Sequence, residues 1–520
     1  MPKEITLTLT PEQAADQARY IPIAARMAGV NAEQIALARI VRRSIDARRS
    51  PKVLLTLELY IDDERPAEPV RLEYGNVAGA TPVVVVGSGP AGLFAALRLI
   101  ELGYKPIVVE RGKEVGERKR DIAAINLNGP VDPDSNYAFG EGGAGTFSDG
   151  KLFTRSKKRG DHHRALQILL QHGADPSIMY DAHPHIGTDC LPAIIARIRL
   201  TITDAGGQIL FGSRVTDLII KDERMQGVVA NDTRIEAAAV VLATGHSAGD
   251  IYELLHRRGV PVEAKPFAMG VRVEHPQELI DSIQYRLPIK SEYLPAATYQ
   301  LVAQVGGRGV YSFCMCPGGH IVPAMTTGAE SVVNGMSTSG RNSVFANAGI
   351  VTEVRLTDFA HLEAEYGPLA GLVFQRQFEQ AARAHGGAAQ VAPAQKLTDF
   401  VANKISQALP KTSYRPSVAA SNMREWMPGF ISDALHGGFL DFGRKMRGFL
   451  SDEAQIVGVE SRTSSPVRVP RDPLTLMHPT VAGLFPAGEG AGYAGGIISA
   501  GVDGDRIAQA VAQYLKSITL

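Results

Sequence analysis

Cysteine is scarce in this chain: three residues in 520, at Cys190, Cys314 and Cys316. Three unevenly spaced thiols cannot staple a secreted scaffold, so a reducing, cytoplasmic setting is expected. No stretch approaches the roughly 20 apolar residues that a membrane span needs. The start, MPKEITLTLTPEQ, has no basic segment leading into an apolar run and a small-residue cleavage site, so a signal peptide is not expected. An excess of one charge is missing too, with Lys+Arg and Asp+Glu at 54 each. No overall field therefore draws the chain to nucleic acid or anionic lipid, and neither is an expected partner. What the chain does have is apolar material, 45% of its residues, and length for roughly two to four folding units.

ITLTLT at 5–10 alternates as a strand does. Thr10-Pro11-Glu12-Gln13 then supplies a capping residue, a first-turn proline and a capping-box glutamine, predicting a helix. Asn31 with Gln34 repeats the signal, and Leu37, Ile40, Val41 and Ile45 recur at helical spacing, predicting a second helix before the strand KVLLTLELYI at 52–61. The expectation is a small N-terminal β-α-α-β unit. On its second helix Arg39, Arg42 and Arg43 would be neighbours, a solvated or salt-bridged face, with a phosphate or RNA contact as the sharper alternative. DDERPAEPVRLEYGNVAGA at 62–80 reads as a linker.

Beyond it TPVVVVG, PIVVE, QILFG and AAVVLATG are short apolar runs ended by glycine or acid, as suits parallel strands buried on both faces. From about 262 the texture changes to scattered short strands, glycine-rich turns and a few helices. The expected fold is α/β, in four stretches. Residues 1–75 form the N-terminal unit and linker; 76–261 and 456–520 form a discontinuous Rossmann-like nucleotide-binding domain; 262–455 form an inserted α+β substrate domain.

VVVVGSGPAG at 83–92 is a strand running into Gly87, Ser88, Gly89, Pro90, Ala91 and Gly92. Gly87 permits the tight turn, Gly89 the approach of a pyrophosphate, and Gly92 close packing of the next helix, whose free N–H groups face the phosphates. The next strand ends at Glu110, 18 residues after Gly92, where a carboxylate can accept from both ribose hydroxyls of an adenosine. Two distant segments favour a flavin over a nicotinamide. AAVVLATG ends at Thr244-Gly245, and PAGEGAGYAGGIISAG brings Gly488, Glu489, Gly495, Gly496 and a further helix start that can face the pyrimidine side of a flavin ring.

AFGEGGAGTFSDG at 138–150 matches the same G-x-G-x-x-G letters but lacks the lead-in strand, the following helix and the acid. It is expected to be a loop close to the flavin, with Gly143, Thr146, Ser148, Asp149, Gly150 and Lys151 near the cofactor, rather than a second dinucleotide fold. In YSFCMCPGGH an extended strand would put Cys314 and Cys316 on one face. They line a substrate cavity on one reading and are buried small hydrophobes on the other. With His320 they fall short of a zinc ligand set, so no metal is expected. Arg462, in ESRTSSPVR, is a candidate clamp for an anionic substrate or the reduced flavin.

GSGPAGLFAALRLIELGYKPIVVERG, FGEGGAGTFSDGKL, PHIGTD, FAMGVRVEHPQ, YSFCMCPGGHIVPA, LPKTSYRP, ESRTSSPVRV and PAGEGAGYAGGIISAGVDG together resemble the bacterial FAD-dependent dehydrogenase family, a branch of the glutathione-reductase-like flavoproteins. The resemblance implies non-covalent FAD, with its pyrophosphate at Gly87 to Gly92 and its adenosine ribose at Glu110. It implies ribityl and ring contacts at Gly488, Glu489, Gly495, Gly496 and Ile497, and adenosine contacts at Arg111 and Val215. The function expected is an FAD-dependent oxidoreductase acting on a small organic substrate, with Cys314, Cys316 and Arg462 as candidate catalytic residues. NAD(P)H, if it is the reductant, would bind transiently over the ring. Two alternatives stand beside it: an RNA-modifying flavoprotein using the basic N-terminal unit, and a flavin-binding sensor without turnover.

Overall fold

In a computed structural model of the chain, residues 2–62, 64–66, 71–154 and 160–519 are described; parts of the expected linker, at 63 and 67–70, lie outside them. A five-stranded parallel sheet holds the centre. Its order is Leu484–Pro486, Val240–Leu242, Pro82–Val86, Lys105–Val109 and Gln208–Leu210. The middle strand shows why the run of valines works. Val83 and Val85 enter one apolar core and Val84 and Val86 another on the opposite face, and all four are buried. Each fully buried valine contributes roughly 1.5–3 kcal/mol, which holds the strand between two layers.

The helix Pro90–Glu101 follows the central strand and packs on the long helix Ile497–Thr519, so residues some 400 apart meet. The approach is close: a Cβ on Gly501 would touch the Phe94 ring, and one on Gly504 would strike the Ala91 carbonyl. A three-stranded antiparallel sheet, Val215–Lys221, Arg224–Ala230 and Thr233–Glu236, lies beside this unit.

The second large layer is a seven-stranded sheet, in the order Val302–Val305, Arg308–Cys316, Phe345–Val354, Phe267–Pro276, Gln455–Glu460, Ala392–Lys396 and Val418–Ala420. Helices Ala370–His385 and Gly429–Lys445 pack on it around Phe378, Ile431, Leu435, Phe439 and Phe442. The chain is therefore α/β, with a Rossmann-like parallel sheet and an inserted α+β layer. Among the described residues no helix is long and apolar enough to cross a membrane.

The N-terminal unit departs from expectation. Thr10 caps as predicted, its capping box with Gln13 complete, but helices Pro11–Ala15 and Gln17–Ala28 both precede residue 30. Asn31 and Gln34 form a real capping box that opens only the single turn Ala32–Gln34. The predicted second helix is a strand, Ile35–Asp46, paired with Lys52–Ile61 in a three-stranded antiparallel sheet. Two register shifts, at Ile35/Leu37 and Ile40/Arg42, break its period-two alternation and produce spacings that mimic a helix. On this strand Arg39 is ion-paired with Glu58, and Arg43 with both oxygens of Asp181 at 2.7 and 2.8 Å.

Candidate functional site

At the carboxyl ends of the parallel strands a cleft of about 350 Å³ opens between the two large layers. Open α/β sheets hold ligands at this edge. Three walls come from the first glycine run, the second glycine run and the start of the late helix.

Gly87 takes φ +102°, which its lack of a Cβ permits, and Gly89 caps the helix that begins at Pro90. A Cβ on Gly92 would strike the Gly87 carbonyl oxygen, so this glycine sets the tightness of the turn. Gly87, Gly89, Pro90 and Ala91 line the cleft; Gly92 is buried beneath them, and Ser88 is turned away to hydrogen-bond Glu110.

Glu110 lines the cleft but is saturated by the protein. Its Oε2 accepts from the Ser88 N–H at 2.9 Å and hydroxyl at 2.7 Å; its Oε1 accepts from the N–H groups of Gly112 at 2.9 Å and Gly140 at 3.0 Å. A carboxylate has about four lone-pair directions, and all are used here. Glu110 thus braces three loops at the position where the ribose was expected, with four protein donors already on its carboxylate. Arg111, stacked on Phe139 at 4.1 Å, binds Asp134 and Asp250, and Arg214 binds the same Asp250. Arg111, Arg214, Asp250, Ser213 and Val215 form this end of the cleft.

The second glycine run lies directly on the first. The Gly142 N–H donates to the Ser88 carbonyl at 2.9 Å, and a Cβ on Gly143 would come within 3.1 Å of the Gly89 Cα. Gly143 to Gly145 make one 3-10 turn, and no parallel strand leads into it. Gly143, Ser148, Asp149, Gly150 and Lys151 line the cleft. Thr146 does not: its hydroxyl donates to the Glu141 carbonyl at 3.0 Å and it is buried inside the loop. Asp149 accepts from Arg341 at 3.1 and 2.6 Å and pairs with Lys151 at 3.2 Å. Burial works to raise this carboxyl, but Lys151 and Arg341 outweigh it and hold it at about 2.

The third wall is Glu489, Gly495, Gly496 and Ile497, at the start of the late helix. Gly488 sits just behind, its N–H given to Asp503 at 2.8 Å, in contact range of Ala91. Thr244 and Gly245 line the cleft opposite, and His246 beside them approaches Glu489 at 3.5 Å. Burial alone would lower this imidazole, but Glu489 raises it above its ordinary value. His246 follows Gly245 directly at a strand end, a position from which it could have been read.

The strand Arg308–Cys316 bulges, its partner shifting from Phe313–Gly349 to Cys316–Asn347. The expected alternation therefore fails: Phe313 and Cys314 both line the cleft in succession, while Cys316 is buried behind them. The sulfurs still converge, with Lys151 Nζ at 4.0 Å from Cys314 Sγ and 3.9 Å from Cys316 Sγ. Arg462 touches the cleft, with four of its five N–H donors committed to protein partners. It donates to Glu379 at 3.0 and 2.9 Å, to Glu330 at 2.7 Å and to the Thr326 hydroxyl at 3.1 Å. At the position expected to clamp an anion, Arg462 is thus a buried ion-pair brace whose charge already faces the carboxylates of Glu330 and Glu379. Among the described residues no three His, Cys, Asp or Glu side chains gather as a metal site. Arg341, 192 residues from its partner Asp149, left no local signal in the sequence.

The cleft can be set against known proteins. A family described as an FAD binding domain matches residues 82–124, one described as FAD-dependent protein, C-terminal domain-like matches 266–463, and a domain of unknown function matches 1–61. An uncharacterized protein of Clostridium beijerinckii is 40% identical over 500 residues, 92% of this chain and 92% of that one. Thiamine thiazole synthase of Methanococcus vannielii is 28% identical over 190 residues, 34% of this chain and 60% of the synthase. Among solved structures the L-amino acid deaminase from Proteus vulgaris is similar at a TM-score of 0.38 and 13% identity, over 85% of this chain and 96% of that one. The residues around the cleft suit the cofactor these families name, since two helix starts and two glycine loops offer N–H groups at one opening. With 40% identity to the Clostridium protein across 92% of each chain and both FAD-family matches, the chain belongs to the bacterial FAD-dependent dehydrogenase family, and FAD is its cofactor.

Proposed function

We propose that this FAD-dependent oxidoreductase moves a hydride or electron pair between a small organic substrate and FAD held without a covalent bond in the cleft. The reading rests on one observation above all: helices Pro90–Glu101 and Ile497–Thr519 both begin at the same opening, each preceded by glycines. The first start suits a pyrophosphate, placing the adenosine toward Arg111, Arg214 and Val215. The second, at Gly495 to Ile497, suits the pyrimidine side of the ring, where reduction places negative charge. When bound, FAD supplies the two-electron chemistry. The protein's part is to seat it and to present Ser148, Lys151, Phe313, Cys314 and Asn334 around the substrate. The cleft has both an apolar wall and polar groups, as a small organic molecule requires.

We assign the units as residues 1–75, 76–261 with 461–520, and 262–460; the boundary expected at 455/456 moves because Gln455–Glu460 is a strand of the inserted sheet. The second glycine run serves the first rather than a nucleotide of its own, so a nicotinamide reductant would visit the ring transiently. Gly89 tests the seat. Its added Cβ would meet only the Gly143 Cα, at 3.9 Å, so Gly89→Ala is tolerated while Gly89→Glu sets a carboxylate where the pyrophosphate belongs. The purified chain is expected to carry FAD, and Gly89→Glu to lose it; a Gly89→Glu protein that keeps its flavin spectrum removes the reading. Anaerobic reduction by NADH, NADPH and a panel of metabolites, followed at the flavin absorbance, then identifies the donor.

A further inference from the structure

Seating a flavin does not require two sulfurs on one ammonium, yet the bulged strand supplies them. Cys314 stands in the left-handed region, φ +42°, a conformation that favours glycine and is held here by the bulge. It faces the cleft, while Cys316, two residues on, lies fully buried with its thiol donating to the Cys314 carbonyl at 3.3 Å. Lys151 Nζ reaches both sulfurs, and Arg272 Nη1 lies 3.9 Å from Cys316 Sγ. Neither cysteine is in a disulfide.

We propose that Cys314 and Cys316 form a reversible dithiol–disulfide couple that exchanges an electron pair with the FAD of the cleft, an inference that rests on the flavin site proposed above. Starting from the Cys314 thiolate and the Cys316 thiol, one S–S bond forms and the remaining S–H bond breaks. The electron pair and that proton pass to the flavin, which is left reduced; the reverse step returns them. Cys314 is the cleft-facing partner and Cys316 the resolving one.

The charges favour this division. The neighbouring Cys316 side chain lowers the Cys314 thiol well below its ordinary range, with Lys151 and Arg272 adding to it against burial and against Asp149. The Cys314 side chain, with burial, pushes Cys316 up and keeps it protonated. Glu460, paired to Arg272 at 2.7 Å, and the buried Tyr299 phenol are the other titratable groups facing the pair. Lys151 is the positioning residue: it neutralises the thiolate without leaving the cleft wall.

The test uses the holoenzyme in a Cys190→Ser background, where Cys314 and Cys316 are the only thiols left. Anaerobic titration with dithionite is read at the flavin absorbance, and thiols are counted by alkylation after denaturation. The air-oxidised protein is expected to show no thiols and to take up four electrons per flavin, ending with two thiols. Adding Cys316→Ser is expected to cut the uptake to two electrons. In the reduced protein, iodoacetamide is expected to label Cys314 near neutral pH, with labelling slowed roughly 10-fold by Lys151→Met and restored by Lys151→Arg. A protein that holds FAD but keeps two thiols through reduction and air reoxidation, or fills at two electrons, overturns the couple while leaving the flavin site intact. A chain that binds no FAD overturns the site itself.

Discussion

Residues 83–100 and 138–150 satisfy the same glycine pattern, and in the folded chain they touch. The first run is set by what is next to it in sequence: a strand buried on both faces, a turn closed by Gly87 and a helix packed through Gly92. The second is set by what is far away: Glu110 holds Gly140, Ser88 holds Gly142, and Ile497 lies against Gly145. Identical letters thus serve opposite purposes. One run builds a nucleotide seat from its own neighbours, and the other is a lining that exists only because the seat is already there.

The largest effect that sharpens this contrast is expected at Gly92. Gly92→Val drives a side chain into the Gly87 carbonyl and is expected to remove ~3 kcal/mol or more of stability along with the flavin, seen as loss of the yellow spectrum and a lowered denaturant midpoint. Glu110→Ala strips the acceptor from three backbone N–H groups and a hydroxyl, and is expected to remove about 3 kcal/mol and loosen both runs together. Hydrogen exchange at Ser88 and Gly140 checks this; protection lost in one run alone would break the view that they form one unit.

Asp149 comes next. Its folded carboxyl is held at about 2 against an ordinary 3.8, so the group contributes stability that is complete above its unfolded value and lost as pH falls through the range from about 4 to about 2. That shift corresponds to about 2 kcal/mol, and Asp149→Asn is expected to flatten the acid limb of the stability curve by that amount. The smallest effect on the flavin is expected from Gly142→Ala: at φ +79° its Cβ would strike the buried Thr146 hydroxyl, at a cost of about 2–3 kcal/mol, with flavin retained. If Gly142→Ala empties the site as Gly92→Val does, the two runs carry equal weight and the contrast fails.

Legibility followed the range of the forces involved. The VVVVGSGPAG unit could be read because strand, turn and helix start are all decided within a dozen residues, and the capping box at Thr10 for the same reason. The strand Ile35–Asp46 was misread because its two register shifts put Leu37, Ile40, Val41 and Ile45 at spacings that fit a helix equally well. The bulge at Cys314 erased an alternation that the letters imply. Arg462 looked free because its partners, Glu330 and Glu379, stand 132 and 83 residues away, and Glu110 looked available because Gly140, 30 residues on, gives no sign of reaching back. About half of the cleft-lining positions were nameable; which lone pairs and protons were already taken was not.

The late helix start at Gly495 to Ile497 has a consequence in time. The first wall of the cleft, at Gly87, precedes Glu489 by about 400 residues, and the edge strand Leu484–Pro486 joins the parallel sheet only then. At roughly 5–20 residues per second of synthesis, the nascent chain carries a half-built seat for some 20–80 s, about the last 12–50 s of it with Val240–Leu242 as a sheet edge awaiting Leu484–Pro486. Loading of the cofactor is thus an event of late translation or after it. During that interval the unpaired edge is the part of the molecule that most needs shielding from its neighbours.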